Sequence, residues 1–333
     1  MSGPAILVTG GAGFIGAHCC KALAAAGFRP VVYDNLSTGH AAHVQWGPAV
    51  FADLRDRAAL AAAIAHHQIA AVMHFAASAY VGQSVTDPGP YHDNNIGSMI
   101  ALLDVCRQGG IDQLVFSSSC ATYGTPSATP IREDTTQAPI NPYGFTKLVG
   151  ERMLIEQAAA YGLRPAILRY FNAAGADPDG DLGEIHRPET HLIPLALMAA
   201  AGSGPPLAVF GTDYATPDGS CIRDYIHVDD LARAHVTALR HLLKGGAPLT
   251  LNLGSGRGIS VWEVLGAVKR VTGRAVPHVT APRRAGDPAV LVADPRLAAA
   301  RLGFVTQQSE IDTIIAHAAP WFGHDEVRHA ATA

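Results

Sequence analysis

Tyr143 and Lys147 stand four residues apart in Asn141-Pro142-Tyr143-Gly144-Phe145-Thr146-Lys147, a spacing that puts a phenol and an ammonium on one face of a helix. The segment reads as a helix start: Asn141 is able to cap, and Pro142 suits the first helical position, where its missing N–H costs nothing. A phenol is a poor base at neutral pH, and bringing it from its value near 10 into working range takes about three units, roughly 4 kcal/mol. Lys147, the helix N-terminus and a cationic cofactor ring would each push that way. Just upstream, Leu114-Val115-Phe116 reads as a buried strand running into Ser117-Ser118-Ser119, which places hydroxyls at the carboxyl end of a strand, where open α/β sheets bind ligands. Ser119 is suited to orient a reacting alcohol. A Tyr followed four residues later by a Lys is also common on ordinary surfaces, so the pair takes its meaning from its company.

That company begins near the N-terminus. Ile6-Leu7-Val8 leads into Thr9-Gly10-Gly11-Ala12-Gly13-Phe14-Ile15-Gly16, where glycines permit a sharp turn and a close approach to a pyrophosphate that the next helix's N-terminus would meet. Ile15, Cys19, Ala22, Leu23 and Ala26 follow at helical spacing, and Gly27 is a fitting stop. A second strand then ends at Asp34, the distance at which a carboxylate accepts the hydroxyls of an adenosine ribose and repels a 2'-phosphate. NAD is therefore expected in preference to NADP.

The elements that must position these groups alternate. Val31-Val32-Tyr33, Val50-Phe51, Val72-Met73, Leu114-Val115-Phe116 and Ala166-Ile167-Leu168 are separated by Ala- and Leu-rich helical stretches, which predicts a Rossmann-type doubly wound parallel sheet with helices on both faces. After Asn172 the rhythm gives way to a Gly-, Pro- and Asp-rich stretch from Gly175 to Pro188. Two domains are expected, 1–173 for the dinucleotide and 174–333 as a smaller α/β substrate domain, with about 222–245 packing back on the first. With 333 residues, 48% of them hydrophobic, the chain can bury a large core. A net charge of -4 and no basic run longer than Pro282-Arg283-Arg284 argue against nucleic acid as a partner. The longest apolar run, Ala58 to Ala65, falls short of the roughly 18 residues that span a bilayer. No secretory signal is visible, the five cysteines form no regular set, and a cytoplasmic chain with reduced thiols is expected. The histidines suggest no metal set: His66 and His67 are adjacent, and no pair has metalloprotease spacing. No metal is expected.

Together these strings resemble the extended short-chain dehydrogenase/reductase family, and within it the enzymes that epimerise nucleotide sugars. The resemblance extends through Asp34-Asn35-Leu36, His74-Phe75-Ala76-Ala77, Asp93-Asn94-Asn95 and Leu168-Arg169-Tyr170-Phe171-Asn172. It continues into the second half with Val209-Phe210-Gly211-Thr212-Asp213-Tyr214, Arg223-Asp224-Tyr225-Ile226-His227-Val228, and Arg284 with Gly286-Asp287. It implies inversion of the C4 hydroxyl of a UDP-hexose through a transient 4-keto sugar, with NAD as a resident cofactor and a homodimeric assembly. Tyr143 would be the acid/base, Ser119 the partner of the 4-hydroxyl and Lys147 the ligand of the nicotinamide ribose. The resemblance assigns NAD to Gly10, Gly13, Phe14, Ile15, Gly16, Asp34, Asn35, Ser37, Thr38 and Gly39. It adds Asp53, Leu54, Phe75, Ala76, Ala77, Asn94, Ser117 and Tyr170, together with Tyr143 and Lys147. For the UDP-sugar it implies Ser119, Tyr143, Asn172, His191, Leu192, Val209, Phe210, Arg223, Tyr225, Val261, Arg284, Asp287 and Leu291. Arg223 and Arg284 suit a diphosphate, since a guanidinium donates two parallel hydrogen bonds.

Some positions depart from the family pattern. Ala79 stands where some members carry a lysine, and Thr190-His191 where some have two asparagines. Leu291 stands where some sugar-restricted members carry a bulkier tyrosine, which would leave room for a 2-acetamido group and admit UDP-GlcNAc and UDP-GalNAc. A UDP-xylose/UDP-arabinose 4-epimerase is a further alternative, because Ser119-Cys120-Ala121-Thr122-Tyr123 also fits that class. The same stretch lacks the acidic residue that a sugar dehydratase or decarboxylase would use. A non-catalytic NAD sensor would keep the glycines but need neither Tyr143 nor Lys147.

Overall fold

The β-branched runs become strands because successive side chains leave a strand on opposite faces and both faces of this sheet are covered. In the computed structural model, which describes residues 3–284 and 287–327, they are β1 (Ala5–Thr9), β2 (Arg29–Asp34), β3 (Ala49–Phe51), β4 (Ile69–His74), β5 (Gln113–Ser119) and β6 (Arg164–Tyr170). Gly286 lies outside the described residues. From the second half come β7 (Asn172–Ala174), β8 (Leu207–Phe210), β9 (Ile222–His227), β10 (Leu249–Leu253), β11 (Gly258–Ser260), β12 (His278–Ala281) and β13 (Val290–Leu291).

Seven strands form one sheet in the order β10-β6-β5-β4-β1-β2-β3, and every pairing in it is parallel. This is the doubly wound architecture expected from the alternation. Along β1, Ile6 and Val8 join one core with Cys19, Leu23, Leu231, Leu239 and Leu242, from the helices Phe14–Ala25 and Val228–Leu243. Ala5 and Leu7 join the other with Leu60, Leu102 and Leu154, from the helices Arg57–His67, Gly97–Gln108 and Pro142–Tyr161. The seventh strand and the helix Val228–Leu243 thus reach the first layer from beyond residue 173. β10 in particular had no signal marking it as a partner of β6.

In the second half, β11 and β13 flank β9, β7 also pairs β9, and β12 pairs β8. Val209, Tyr225, Val261, Val264 and Ile314 pack a separate core there. Lys21 links the halves: its ammonium donates to Asp177 at 2.7 Å, Asp179 at 2.8 Å and Asp181 at 2.9 Å. All five cysteines are free. Among the described residues no helix is long and apolar enough to cross a membrane.

Candidate active site

The glycine loop is dictated by close approach. Gly10 has a φ of 72°, and a Cβ there would lie 2.6 Å from the backbone nitrogen of Ala76. A Cβ on Gly16 would lie 2.2 Å from the Gly10 carbonyl oxygen, so the helix can seat on the turn only without a side chain. Nothing caps the helix Phe14–Ala25, which starts at Phe14 and Ile15 just after Gly13, and its first turn holds no acidic residue. Its N–H groups and positive dipole end are therefore available to an anion.

Asp34, at the end of β2, is buried, and its Oδ2 accepts from the Ala12 amide at 3.0 Å while Oδ1 accepts from the Leu36 amide at 2.8 Å. These bonds aim the carboxylate across the loop and leave lone pairs for a ribose diol. Asn35 accepts from the Ser37 amide at 3.0 Å, Thr38 is exposed beside it, and a Cβ on Gly39 would touch Ala12 and Asp34 at 3.0 Å. Asn35 also donates to Asp53 at 3.3 Å, next to buried Leu54. Hydrogen bonding by the Arg55 guanidinium holds the Asp53 carboxyl well below the usual carboxylate range, so it can only accept. Phe75 and Ala76 both donate amide hydrogens to the Thr9 carbonyl, at 2.9 and 3.1 Å, and Ala77 continues that half-buried turn. Asn94 donates to Ser78 at 3.2 Å. A helix end for a pyrophosphate and a carboxylate for a diol fit an adenine dinucleotide.

A second cluster stands at the carboxyl ends of β5 and β6. Asn141 accepts from the Gly144 amide at 2.8 Å and Pro142 opens the helix Pro142–Tyr161, as the sequence predicts. Tyr143 and Lys147 therefore project one turn apart, both buried. Lys147 donates to the Ser117 carbonyl at 2.8 Å and lies 5.8 Å from the centre of the Tyr143 ring. Ser117 and Tyr170 share a hydrogen bond of 2.7 Å between their hydroxyls. Ser119 accepts from the Ala121 amide at 3.1 Å, and its hydroxyl lies near enough to Tyr143 to favour the phenolate. The loop and this cluster are joined through a buried row: Thr9 hydrogen-bonds His74 at 2.7 Å, His74 stacks on Phe116 at 5.7 Å, and Lys147 sits 5.1 Å above that ring.

The electrostatics correct one expectation. From the protein's own groups Tyr143 is pushed up, not down: burial dominates, Tyr170 adds to it, and Ser119 only partly opposes. Burial also pulls Lys147 down to about 7, against the pull of Glu151, so the neighbouring ammonium is itself short of charge at neutral pH. The expected ordering overlooked how deeply the pair is buried.

The residues expected to hold a nucleotide sugar gather on the second half. Arg223 on β9 ion-pairs with Asp287, and Leu291 on β13 lies opposite Arg223 in the strand register. Val209 and Phe210 end β8, and the Arg284 guanidinium stacks 4.2 Å above the Phe210 ring. Asn172 on β7 pairs with Tyr225 on β9, while Leu192 and Val261 begin helices in the same core. Leu291 packs against the apolar group containing Cys120, and Arg223 acts electrostatically on Cys120, the neighbour of Ser119. The two halves of the site thus adjoin. His191 differs: its Nδ1 is 2.8 Å from Glu184 and 2.9 Å from Glu189, so this ring nitrogen faces carboxylates.

Two groups went unread in the sequence. Glu151, one turn beyond Lys147, accepts from Ser118, from Gln137 at 2.8 Å and from Arg169 at 2.9 and 2.6 Å. Arg169 also donates to Tyr123 at 2.8 Å, and Tyr123 donates to Asn252 at 2.7 Å. The other group is Glu184, His186, Glu189 and His191, whose ligand-type atoms all lie within 4.8 Å of one another. Sequence adjacency and metalloprotease spacing do not reveal this grouping, because the loop that carries it folds onto itself. Burial opposes protonation of His186 and His191, but the hydrogen bonds they donate to Glu184 and Glu189 outweigh it and raise them to about 9 and about 10.

Comparison with known proteins gives concordant results. The model of the NAD dependent epimerase/dehydratase family matches residues 6–254. The UDP-glucose 4-epimerase of Rhizobium leguminosarum bv. trifolii is 50% identical over 321 residues, covering 96% of this chain and 98% of that protein. The crystal structure of UDP-glucose 4-epimerase from Brucella ovis in complex with NAD superposes with a TM-score of 0.94 at 59% identity, over 96% of this chain and 98% of that one. That of the Bifidobacterium longum UDP-glucose 4-epimerase with NAD+ and UDP gives 0.91 at 36% identity, over 96% and 99%.

Proposed function

Because the chain belongs to the NAD dependent epimerase/dehydratase family, we propose that it inverts the C4 hydroxyl of a UDP-hexose, interconverting UDP-glucose and UDP-galactose through a 4-keto sugar. The observation that carries this reading is the buried phenol of Tyr143, held beside Ser119 and Lys147 and joined to the glycine loop through Phe116 and His74. Relatives about half identical over nearly the full chain carry the hexose name, which favours hexose over the pentose and N-acetylhexosamine alternatives.

Bound NAD supplies the reversible two-electron acceptor and a positive charge beside the phenol. Tyr143 takes the proton of the C4 hydroxyl and returns it after the sugar has presented its other face. Ser119 holds the C4 oxygen, and Lys147 orients the cofactor ribose and favours the phenolate. Arg223 and Arg284 grip the diphosphate while the sugar pivots, so that positioning carries much of the rate. Arg223 is braced by Asp287 and Arg284 by Phe210, which keeps both guanidinium planes fixed.

Purified chain given UDP-galactose without added cofactor should yield UDP-glucose by NMR. Tyr143→Phe should slow turnover by about 10²- to 10⁴-fold and still retain NAD. No conversion by the unaltered chain, or near-normal turnover by the variant, would overturn the reading. Two further expectations accompany it, a cytoplasmic location and a homodimer. The dimer is supported by exposed Ile100, Ile155 and Tyr161 on the helices Gly97–Gln108 and Pro142–Tyr161. Light scattering on the eluted protein should return twice the chain mass, and Ile100→Glu with Ile155→Glu should halve it.

A further inference from the structure

The loop that enters the helix Leu192–Ala201 carries Glu184, His186, Glu189 and His191. Glu184 is buried, and its Oε1 lies 3.0 Å from Nδ1 of His186 and 2.8 Å from Nδ1 of His191. Glu189 brings its Oε1 to 2.9 Å from the same His191 nitrogen. Its Oε2 has no hydrogen-bond partner although the side chain is only 8% exposed, and it faces His186 Nδ1 at 3.7 Å. A buried carboxylate oxygen without a donor is costly, and here it faces an imidazole that is already engaged with Glu184; a bound cation would take the place of the two imidazole protons and reach all four side chains at once. The nearby cluster of Asp177, Asp179 and Asp181 provides the contrast, since Lys21 already fills its centre.

The geometry points to a binding site for a divalent transition-metal cation of the zinc type, held by Nδ1 of His186 and His191 and by one carboxylate oxygen each from Glu184 and Glu189. Bonds of about 2.0–2.2 Å in a tetrahedron separate neighbouring ligand atoms by about 3.3–3.6 Å, and the contacts here, 2.8 to 3.7 Å, bracket that spacing. Two imidazoles disfavour calcium and magnesium, which prefer oxygen. Two carboxylates balance the charge of a divalent ion. Four protein ligands close the coordination sphere, the pattern of a structural rather than a catalytic ion.

The ion would brace the contact between the two halves of the site. His40, beyond the Asp34 turn, hydrogen-bonds the Ile185 carbonyl at 3.1 Å, Tyr80 meets the His186 ring edge-on at 5.9 Å, and His191 immediately precedes Leu192. The assignment is independent of which sugar the enzyme uses.

The test takes purified protein with its NAD, strips it with a chelator, dialyses it and titrates it with zinc chloride by calorimetry and elemental analysis. One equivalent per chain is expected, with cobalt(II) in its place giving the visible bands of a tetrahedral site. His186→Asn and Glu189→Gln should each lose that equivalent, whereas Asp179→Asn should keep it. A measurement that needs no variant is histidine modification by diethyl pyrocarbonate mapped by mass spectrometry, in which zinc should protect His186 and His191. Substoichiometric binding, undiminished binding by His186→Asn and Glu189→Gln, or modification indifferent to zinc would each identify the cluster as ion-paired side chains alone and overturn the proposal.

Discussion

Tyr143 meets opposing influences: its own surroundings favour the neutral phenol, and its assigned task requires the phenolate. Lys147 shows the same tension, because burial draws it to about 7 while the reaction benefits from its charge. Its titration leaves a mark on stability. Between pH 7 and 10 an unfolded chain holds a proton on this lysine that the folded chain has lost, so the unfolded state binds more protons and stability rises with pH. Below about pH 7 both states are charged and the full cost of a buried ammonium is present. In cofactor-stripped protein, urea unfolding from pH 7 to 9.5 should therefore favour the unaltered chain over Lys147→Met progressively, by on the order of 3 kcal/mol across the window, whatever His186 and His191 contribute to both. An identical pH slope in the variant would show that Lys147 is not the titrating group.

Glu151 acts at the scale of elements. On β5, Ser117 and Ser119 turn toward the site while Ser118, between them, turns away and donates to Glu151. Glu151 rises from the same helix as Lys147, and its partner Arg169 sits beside Tyr170 on β6. One buried ion pair thereby fixes the helix and both strands that carry the candidate chemistry. Glu151→Gln leaves the Arg169 guanidinium buried without its anion, and denaturant unfolding should show a loss of about 3–5 kcal/mol. A change within experimental scatter would mean that water or Gln137 replaces the carboxylate. The sequence announced what contiguous residues encode: the glycine turn, the strand ending in serines, the capped start at Asn141 and Pro142. It could not announce Glu151 with Arg169, or Glu184 with His191, because those partners meet only after a helix has docked on a strand or a loop has closed, and no periodicity records that.

Across the whole molecule the two halves are interleaved rather than merely joined. β6 pairs with β10, and the helix Phe14–Ala25 is covered by Val228–Leu243, whose Leu231, Leu239 and Leu242 are fully buried. A chain of residues 1–173 would expose that face and leave β6 as an open edge. It should bind the dye ANS and melt without a cooperative transition by circular dichroism, whereas an independently folding half would give a sharp one. The order of the strands also sets a timetable for biosynthesis. β6 ends at Tyr170 and β10 begins at Leu249, and at the ribosome's pace of about 5–20 residues per second a nascent sheet waits several seconds with its flank unprotected. Throughout that interval the unpaired edge of β6 is open to chaperones and to other nascent chains.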